Sequence, residues 1–348
     1  MRPLAQLTDL HPQKLYCFVS GPGEGEAIAL RIPNFGWILV DSYLEGDRPA
    51  SLFWVERFPG PVRLLVWTHP HRDHCQGLDR LIERGRPERI LVPGFRLASF
   101  PQFLASTRER KKAGASTKEY LLCQDSLSAY ARVEALAPDQ VLDPPVGKIL
   151  DFPSGQIELC HPDDPAREEL NRLMQSSGGN FFNKFSAVAR IRWHEVELLL
   201  GADLETAGWN RVLAQRPDLK DVPHLKIPHH GSEDSFADWC LASNLNMSRT
   251  WWITPKNTSH LPQLEELNRL AAAQPELSLT TLPGYLQRPV TPGPVSLSAL
   301  TTAPMKMGGI RRSRGCPTPA NCCWAAQYAQ KGLEETYFGL HSYLIRQD

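Results

Sequence analysis

The sequence predicts a mixed α/β protein in which two β-sheets pack face to face and helices cover their outer sides. Short apolar runs rich in β-branched and aromatic residues occur in two series, and helical patterns are interspersed in each. The two series follow a similar plan, which is typical of a four-layer arrangement with two central sheets. The sequence contains no repeat of short fixed period, which argues against a solenoid.

The predicted elements fall into these two series in chain order. The first series has predicted strands at residues 15–20, 27–32, 37–41, 63–67 and 89–93, and a helix at 76–84. The second has predicted strands at residues 148–152, 156–160, 186–193, 195–201, 224–228 and 250–254, and helices at 204–216, 234–243 and 261–273. We interpret residues 95–140 as a helical insertion, because their pattern is helical and rich in charges. We predict one domain over residues 1–300 and a C-terminal extension over 301–348, with a strand or helix at 335–345.

Length and composition are those of an ordinary globular protein. The chain has 348 residues and a mass of 39.1 kDa, so folding would reduce an accessible area of roughly 57,000 Å² to roughly 14,000 Å². Hydrophobic residues make up 42%, and 38 basic residues balance 38 acidic ones. This balance excludes a strongly basic nucleic-acid coat as a description of the whole chain. Two local basic clusters, at residues 108–112 and 311–314, are compatible with a nucleic-acid partner.

Cysteine usage and hydropathy predict a cytoplasmic protein without a membrane span. The N-terminus lacks an unbroken apolar segment typical of secretion signals. No run approaches the roughly 18 apolar residues that a spanning helix needs. The eight cysteines are interpreted as mostly reduced thiols. Cys316, Cys322 and Cys323 cluster near the end of the chain, as plain thiols or as a second zinc site, although their spacing matches no common zinc ribbon.

The strongest functional signal is a group of metal-ligating residue types directly after the apolar run at 63–67. Three histidines and one aspartate lie within six residues: His69, His71, Asp73 and His74. His69 and His71 are two residues apart, so in an extended chain they project to the same side. Asp73 and His74 lie where the next helical pattern begins. A strand-to-helix turn therefore brings four ligands around one point, and their chemistry suits Zn²⁺, Mn²⁺ or Fe.

Further ligand types follow other predicted strands. Asp203 ends the apolar strand predicted at 198–203, although Asp is also a good N-cap for the helix predicted after it. His229 and His230 follow the short strand at 224–228, and His260 follows the strand at 250–254. The repeated position at strand ends favours ligation over isolated surface histidines.

The segment at residues 69–74 resembles the His-x-His-x-Asp-His signature of the metallo-β-lactamase superfamily, and the element order resembles its αββα sandwich of two mixed sheets. The resemblance implies that Asp203 bridges two metal ions. It also implies that Asp41, which closes the strand at 37–40, orients the metal ligands. The alternative for Asp41 is turn chemistry, because Asp-Ser is a favourable turn pair.

The second half also resembles the soluble hydrolase domain of ComEC-type DNA-uptake competence proteins. The similar elements occur in order over about residues 15–285: Asn183 to Ser186, Leu199 to Glu205, Leu225 to Ser232, and Asn257 to His260. Asn183 and Ser186 are thereby expected to support the site. This sequence departs from the pattern of that domain at two places. It has Gly-Ala-Asp in place of Gly-Asp, and His-Leu-Pro in place of His-Pro. The lack of a predicted membrane span restricts the resemblance to the hydrolase module.

One ligand of the broad superfamily pattern has no obvious counterpart between the first cluster and Asp203. His161 follows the strand at 156–160 and is a plausible replacement, whereas His194 is interpreted as a residue of a hairpin turn. His229 or His230 is the other replacement that the sequence offers.

Together these features predict a metal-dependent hydrolase with two divalent cations, Zn²⁺ or Mn²⁺, that activate water for phosphodiester cleavage. Asp73, His230 and Asp203 are expected to take part in catalysis, and Lys226 and Ser232 to contact a phosphate. Nucleic acid is the first expected substrate. A cyclic nucleotide or other small phosphodiester, a lactone or a thioester remains an alternative. A regulatory or interaction module of a multi-protein system is a second alternative.

Overall fold

The computed structural model describes residues 2–93, 102–103, 105–106, 124–176, 181–235, 250–273, 276–280, 293–296, 323–330, 332–338 and 343–346. Within these residues the chain forms two nine-stranded sheets and a small two-stranded one. Both basic clusters and most of the predicted insertion lie outside the described residues, as does the helix predicted at 234–243 apart from its first two residues. Cys316 and Cys322 also lie outside them.

The first sheet combines strands from the beginning and the end of the chain. Its strands are β1 (Arg2–Pro3), β2 (Leu15–Ser20), β3 (Ala27–Ile32), β4 (Gly36–Val40), β7 (Val62–Val66), β8 (Arg89–Leu91), β9 (Val141–Leu142), β18 (Cys323–Ala329) and β19 (Gly332–Phe338). Their order is β1-β19-β18-β2-β3-β4-β7-β8-β9, and β4, β7, β8 and β9 run parallel. β5 (Leu44–Glu45) and β6 (Arg48–Pro49) form the small two-stranded sheet.

The second sheet is also mixed. Its strands are β10 (Gly147–Phe152), β11 (Gly155–His161), β12 (Val188–Trp193), β13 (Val196–Leu200), β14 (His224–Lys226), β15 (Thr250–Ile253), β16 (Glu276–Leu279), β17 (Gly293–Ser296) and β20 (Tyr343–Arg346). Their order is β10-β11-β12-β13-β14-β15-β16-β20-β17. The strands from β13 to β16 are parallel, so their carboxyl ends lie at one edge of the sheet.

The described helices cover the outer faces of the two sheets. They are α1 (Ala50–Arg57), α2 (Arg72–Cys75), α3 (Leu78–Gly85), α4 (Gln124–Glu134), α5 (Asp164–Ser176), α6 (Thr206–Gln215) and α7 (Leu264–Ala273). None of the helices in the described part of the chain is long and apolar enough to cross a membrane.

Three apolar clusters fill the spaces between the four layers. Alternate residues of β2 illustrate the reason, since Leu15, Cys17 and Val19 face the second sheet, whereas Tyr16 and Phe18 face the helices. The central cluster also contains Leu198 and Leu200 of β13, so it fills the space between the sheets. The outer cluster of the first sheet includes residues of α1, α3, α4 and α5, and that of the second includes residues of α6 and α7. The predicted αββα sandwich of two mixed sheets is confirmed.

The end of the chain belongs to this architecture, contrary to the predicted extension after residue 300. β18 pairs antiparallel with β2, with Trp324 opposite Val19, and β20 pairs antiparallel with β16. The Trp324 indole donates a hydrogen bond to the Leu279 carbonyl at 2.6 Å and so connects the two sheets. The sequence prediction was wrong here because short strands distant in sequence give no local sign of the partner they pair with.

A buried ion pair joins the two sheets near the carboxyl ends of their strands. Glu26 precedes β3 in the first sheet, and Lys226 ends β14 in the second. The Lys226 ammonium lies 2.6 Å from Glu26 Oε2 and also donates to the Ile227 carbonyl at 2.7 Å. Thr254, which follows β15, donates to the same Glu26 oxygen at 2.6 Å. Burial would raise the pKa of Glu26, but Lys226 and the nearby histidines His74 and His230 lower it.

Glu45 in the β5–β6 hairpin is a carboxyl group of a different kind. Both of its oxygens are buried, and neither has a hydrogen-bond partner among the described residues. Burial raises the pKa of Glu45 from 4.5 to about 8, so the folded protein holds a proton that the unfolded chain releases.

We expect that breaking the Glu26–Lys226 pair destabilises the fold strongly. Lys226→Met leaves a buried carboxylate without its cation and should lower the free energy of unfolding by about 3–5 kcal/mol. The double variant Glu26→Gln, Lys226→Met should recover much of this loss, because no buried charge remains unpaired. Guanidinium unfolding of the parent, both single variants and the double variant measures the coupling. Strictly additive losses would contradict a direct pair.

We expect Glu45 to make stability depend on pH in an unusual direction for a carboxyl group. Because its folded pKa is raised, the free energy of unfolding should fall as the pH rises from 4.5 to about 8. Glu45→Gln should remove this part of the dependence and stabilise the protein at pH values above about 8 relative to the parent. Urea unfolding at several pH values measures how the free energy of unfolding depends on pH. Glu195→Gln, at an exposed glutamate, is the control. Identical pH profiles of parent and Glu45→Gln would refute the assignment.

Candidate metal centre

The predicted ligands lie where the carboxyl ends of strands from both sheets meet. Asp41 follows β4, and His69 follows β7 after two residues. From the second sheet, Asp203 follows β13, and His229 and His230 follow β14. The carboxyl ends of parallel strands are the usual position of binding sites in α/β sheets.

The segment at residues 69–74 turns from strand to helix as predicted. His71 is the N-cap residue of α2, a single turn that carries Asp73 and His74. The ring centroids of His69 and His74 are 4.2 Å apart, and those of His69 and His71 are 4.7 Å apart. His71 is only half-buried, whereas His69, Asp73 and His74 are buried. Ser126 of α4 donates a hydrogen bond to the Pro70 carbonyl, so the helix after the insertion supports this turn.

Asp41 holds this segment through three hydrogen bonds. The Thr68 amide donates to Asp41 Oδ1 at 2.8 Å, and the Thr68 hydroxyl donates to Oδ2 at 2.7 Å. His74 Nδ1 lies 2.7 Å from the same Oδ2. Burial raises the pKa of Asp41 against the effect of His74 and Thr68. Asp41 also has a left-handed backbone with φ of 57°, so the turn itself is part of this arrangement.

Asp203 lies among the histidines. Its Oδ1 is 3.1 Å from His74 Nε2, and its Oδ2 is 3.8 Å from both His69 Nε2 and His230 Nε2. Burial would raise the pKa of Asp203, but His74 and His230 lower it well below its ordinary value. Burial would likewise lower the pKa of His74, but Asp203 and Asp41 raise it well above its ordinary value.

His229 and His230 occupy an unusual backbone. Both have left-handed dihedral angles, with φ of 44° and 57°, inside the turn Pro228–Gly231. Such angles are costly for residues other than glycine and are found where function requires a particular geometry. His230 is fully buried and its Nδ1 donates to the Thr254 carbonyl at 2.6 Å. His229 lies at the edge of the group of histidines around Asp203, and its Nε2 is 3.1 Å from Asn183 Nδ2.

Asp73 completes the arrangement on its more accessible side. Its Oδ2 lies 3.0 Å from His230 Nε2 and 2.5 Å from the ammonium of Lys256. Burial would raise the pKa of Asp73, but His230, Lys256 and His74 lower it well below its ordinary value. We call His69, Asp73, His74, Asp203 and His230 the donor cluster.

The donor cluster fits divalent metal ions. In His69, His74 and His230 the Nδ1 atom faces an oxygen of Thr68, Asp41 or Thr254, so the Nε2 atom faces the carboxylates of Asp73 and Asp203. This is the arrangement by which proteins orient metal-binding histidines. His69 Nε2, His74 Nε2 and both Asp203 oxygens are buried without a hydrogen-bond partner of acceptable geometry among the described residues. A cation would satisfy all four atoms.

Glu26 lies behind the donor cluster. With His74, Asp203 and His230 it forms a buried group whose ligand atoms lie within 4.8 Å of one another. However, Glu26 is 4.0 Å from His74 Nδ1 and 3.9 Å from His230 Nδ1, on the side opposite to the Nε2 atoms. Because Lys226 already neutralises it, Glu26 supports the histidines and is not one of the facing donors.

Several predicted site residues are placed differently. His260 is exposed and has a left-handed backbone at the end of the turn Asn257–Ser259, so this loop does not bring it into the donor cluster. His161 is buried, and its Nε2 contacts the Lys184 carbonyl at 3.1 Å. Burial lowers the pKa of His161 to about 4.

The predicted phosphate-binding role of Lys226 does not fit its position. Lys226 is 0% exposed and is held by Glu26, so it cannot reach a substrate. Ser232 is buried, and its amide donates to the His229 carbonyl at 2.9 Å. Ser186 is also buried, with a hydroxyl that has no hydrogen-bond partner among the described residues.

Sequence reasoning missed Glu26, Thr68 and Lys256. A signal for Glu26 was present, because a lysine in the short apolar run at 225–227 needs a buried carboxylate as partner. The structure also explains Gly25, since a Cβ there would lie 2.6 Å from the Asp73 carbonyl oxygen and 2.2 Å from the Tyr43 ring. No sequence pattern indicated that Lys256, and not His260, lies beside the donor cluster.

Comparison with solved structures finds metallohydrolase folds at low identity. Igni18, a metallo hydrolase from the archaeon Ignicoccus hospitalis, is 12% identical over 74% of this chain and 91% of that chain, with a TM-score of 0.40. YhfI from Bacillus subtilis, a metallo-β-lactamase fold protein, is 11% identical over 73% and 91%, with a TM-score of 0.40. A metallo-β-lactamase from Cronobacter sakazakii is 15% identical over 62% and 75%, with a TM-score of 0.35.

Comparison by sequence gives a match to one family model. Residues 21–167 match the model described as Metallo-beta-lactamase superfamily, and this range contains the segment at 69–74. No curated protein matches the chain. The finer resemblance to the hydrolase domain of competence proteins stays a prediction. The similarity to the metallo-β-lactamase superfamily is therefore found over residues 21–167.

Proposed function

We propose that this protein is a metal-dependent hydrolase that cleaves phosphodiesters, with nucleic acid as the first expected substrate. One observation carries the metal dependence: three buried histidines present their Nε2 atoms to two buried carboxylates, and each Nδ1 atom faces an oxygen. A structural role for these residues would leave buried polar atoms unsatisfied, which is costly.

Two divalent cations, Zn²⁺ or Mn²⁺, are the proposed occupants. The donor cluster would hold them, with His71 and His229 as further ligands at its edge. Both lie beside it, since the His71 ring is 4.7 Å from the His69 ring and His229 Nε2 is 3.9 Å from Asp203 Oδ2. When bound, such ions lower the pKa of a coordinated water and neutralise charge on a phosphodiester.

The chain's own groups would orient the reaction. Asp41 and Thr68 keep the His69 and His74 rings in one orientation, and the Thr254 carbonyl does the same for His230. Asp73 is the carboxylate placed to orient a water, because it is 7% exposed, whereas Asp203 is 1% exposed.

The substrate class rests on the resemblance to the competence-protein domain and on the basic clusters at residues 108–112 and 311–314. A phosphodiester backbone attracts such clusters whatever its sequence. Cytoplasmic location and a nucleic-acid partner remain parts of the proposal. Hydrolysis of a lactone or thioester is the main competing outcome, because the same metal site would polarise a carbonyl oxygen.

Asp203→Asn should remove both metal and activity while the fold remains. The amide offers one neutral oxygen in place of two charged ones, so we expect metal content to fall and hydrolysis to decrease by about 100-fold or more. Elemental analysis, circular dichroism and a hydrolysis assay measure the three quantities. Asp151→Asn, at an exposed aspartate of β10, is the matched control. Full metal content and activity in Asp203→Asn would contradict the site.

A substrate panel tests the reaction itself. With Mn²⁺ or Zn²⁺ the parent should cleave single-stranded DNA, duplex DNA or RNA, and also bis-p-nitrophenyl phosphate, and a chelator should abolish cleavage. The same samples receive a lactone and a thioester. Cleavage of these carbonyl compounds alone, by protein that contains metal, would overturn the phosphodiesterase proposal. Absence of bound metal would overturn the site as well.

A further inference from the structure

We propose that Lys256 forms an anion-binding subsite beside the donor cluster, where its ammonium takes an anionic phosphate oxygen of the substrate. The proposal rests on the proposed function for the identity of that substrate. Lys256 would thus take the phosphate-binding role that the sequence suggested for Lys226. Such a subsite would bind anionic substrates more tightly than neutral ones.

The backbone of Lys256 is fixed on both sides. Its amide donates to the Leu261 carbonyl at 2.9 Å, and its carbonyl accepts from the Leu261 amide at 3.0 Å, which closes the loop at 256–261. The next amide, of Asn257, donates to the Gly23 carbonyl at 2.6 Å. The loop is therefore attached to the segment that carries Glu26, and the start of the Lys256 side chain is held in place.

The side chain of Lys256 points to the donor cluster from its accessible side. Its ammonium lies 2.5 Å from Asp73 Oδ2, and the side chain is 21% exposed, compared with 7% for Asp73. An ammonium has three N–H donors, of which Asp73 takes one. The described residues provide no other hydrogen-bond acceptor or carboxylate within bonding distance of the ammonium. The remaining donors are available to a ligand.

Charge balance gives this ammonium its role. Among the buried carboxylates, Glu26 is paired with Lys226, and Asp41 with His74. The two divalent cations proposed for the donor cluster would more than neutralise Asp73 and Asp203, so the positive charge of Lys256 is then in excess beside the ions. A partly buried cation in excess favours an anion as partner.

The test compares Lys256→Met and Lys256→Arg with the parent as full-length, metal-loaded protein. Lys148→Met is the matched control, since Lys148 also pairs with an aspartate, at 2.8 Å from Asp151, but lies on the exposed strand β10. The probe is inorganic phosphate, with its dissociation constant measured by calorimetry. Metal content and the melting temperature are measured on every sample. KM and kcat are measured for bis-p-nitrophenyl phosphate and for the neutral ester p-nitrophenyl acetate.

We expect Lys256→Met to weaken phosphate binding about tenfold or more, because hydrogen bonds to charged groups are among the strong ones. Lys256→Arg should retain most of the affinity, and Lys148→Met all of it. KM for the phosphodiester should rise in Lys256→Met while KM for the neutral ester does not change.

Unchanged phosphate affinity in Lys256→Met would overturn the subsite. Loss of metal from Lys256→Met would also overturn it, because Lys256 would then only hold Asp73 in place. If the parent cleaves no phosphodiester, the proposed function fails, whereas the phosphate dissociation constants still decide the subsite.

Discussion

The Glu26–Lys226 ion pair is the interaction on which the rest of the site depends. It joins the beginning of β3 in the first sheet to the end of β14 in the second, at the edge where both sheets place their carboxyl-terminal residues. Neither charge is accessible, so each is stable there only with the other. The two sheets are therefore held in one relative position directly behind His74 and His230.

Around this pair the structure has two layers of polar groups. The rear layer contains Asp41, Thr68, Thr254 and Glu26, which satisfy or stabilise the Nδ1 atoms of the histidines. The front layer contains the Nε2 atoms and the carboxylates of Asp73 and Asp203. Because the rear layer is complete, the rings cannot rotate without losing hydrogen bonds. Unsatisfied atoms are thus concentrated in front, where a cation would bind.

Part of the backbone strain lies at the same edge. Asp41, Ala202, His229 and His230 all have positive φ, and each follows shortly after a strand of one of the two sheets. Left-handed residues other than glycine are costly, and they persist where surrounding contacts impose them. Here the contacts are the hydrogen bonds of Asp41 and of the His230 ring. The chain therefore turns sharply enough at each strand end for adjacent side chains to converge.

Local patterns in the sequence were sufficient for most of the elements. The predicted strands at 15–20 and 27–32 agree with β2 and β3, because a short apolar run bounded by turn residues is a local property. The pattern at residues 69–74 also predicted a strand-to-helix turn, which the structure contains as β7 followed by α2. The predicted C-terminal extension was wrong, because pairing of β18 with β2 joins residues about 300 positions apart.

The sequence by itself determined the residue types available for metal binding and the strands that carry them, because both follow from short-range spacing. Only the tertiary structure decided which of these residues face one another. It placed Lys226 behind the site and Lys256 at its entrance, and it left His260 exposed. The physical reason is that a buried charge takes its position from its partner. That partner, Glu26 for one lysine and Asp73 for the other, lies in the other half of the chain.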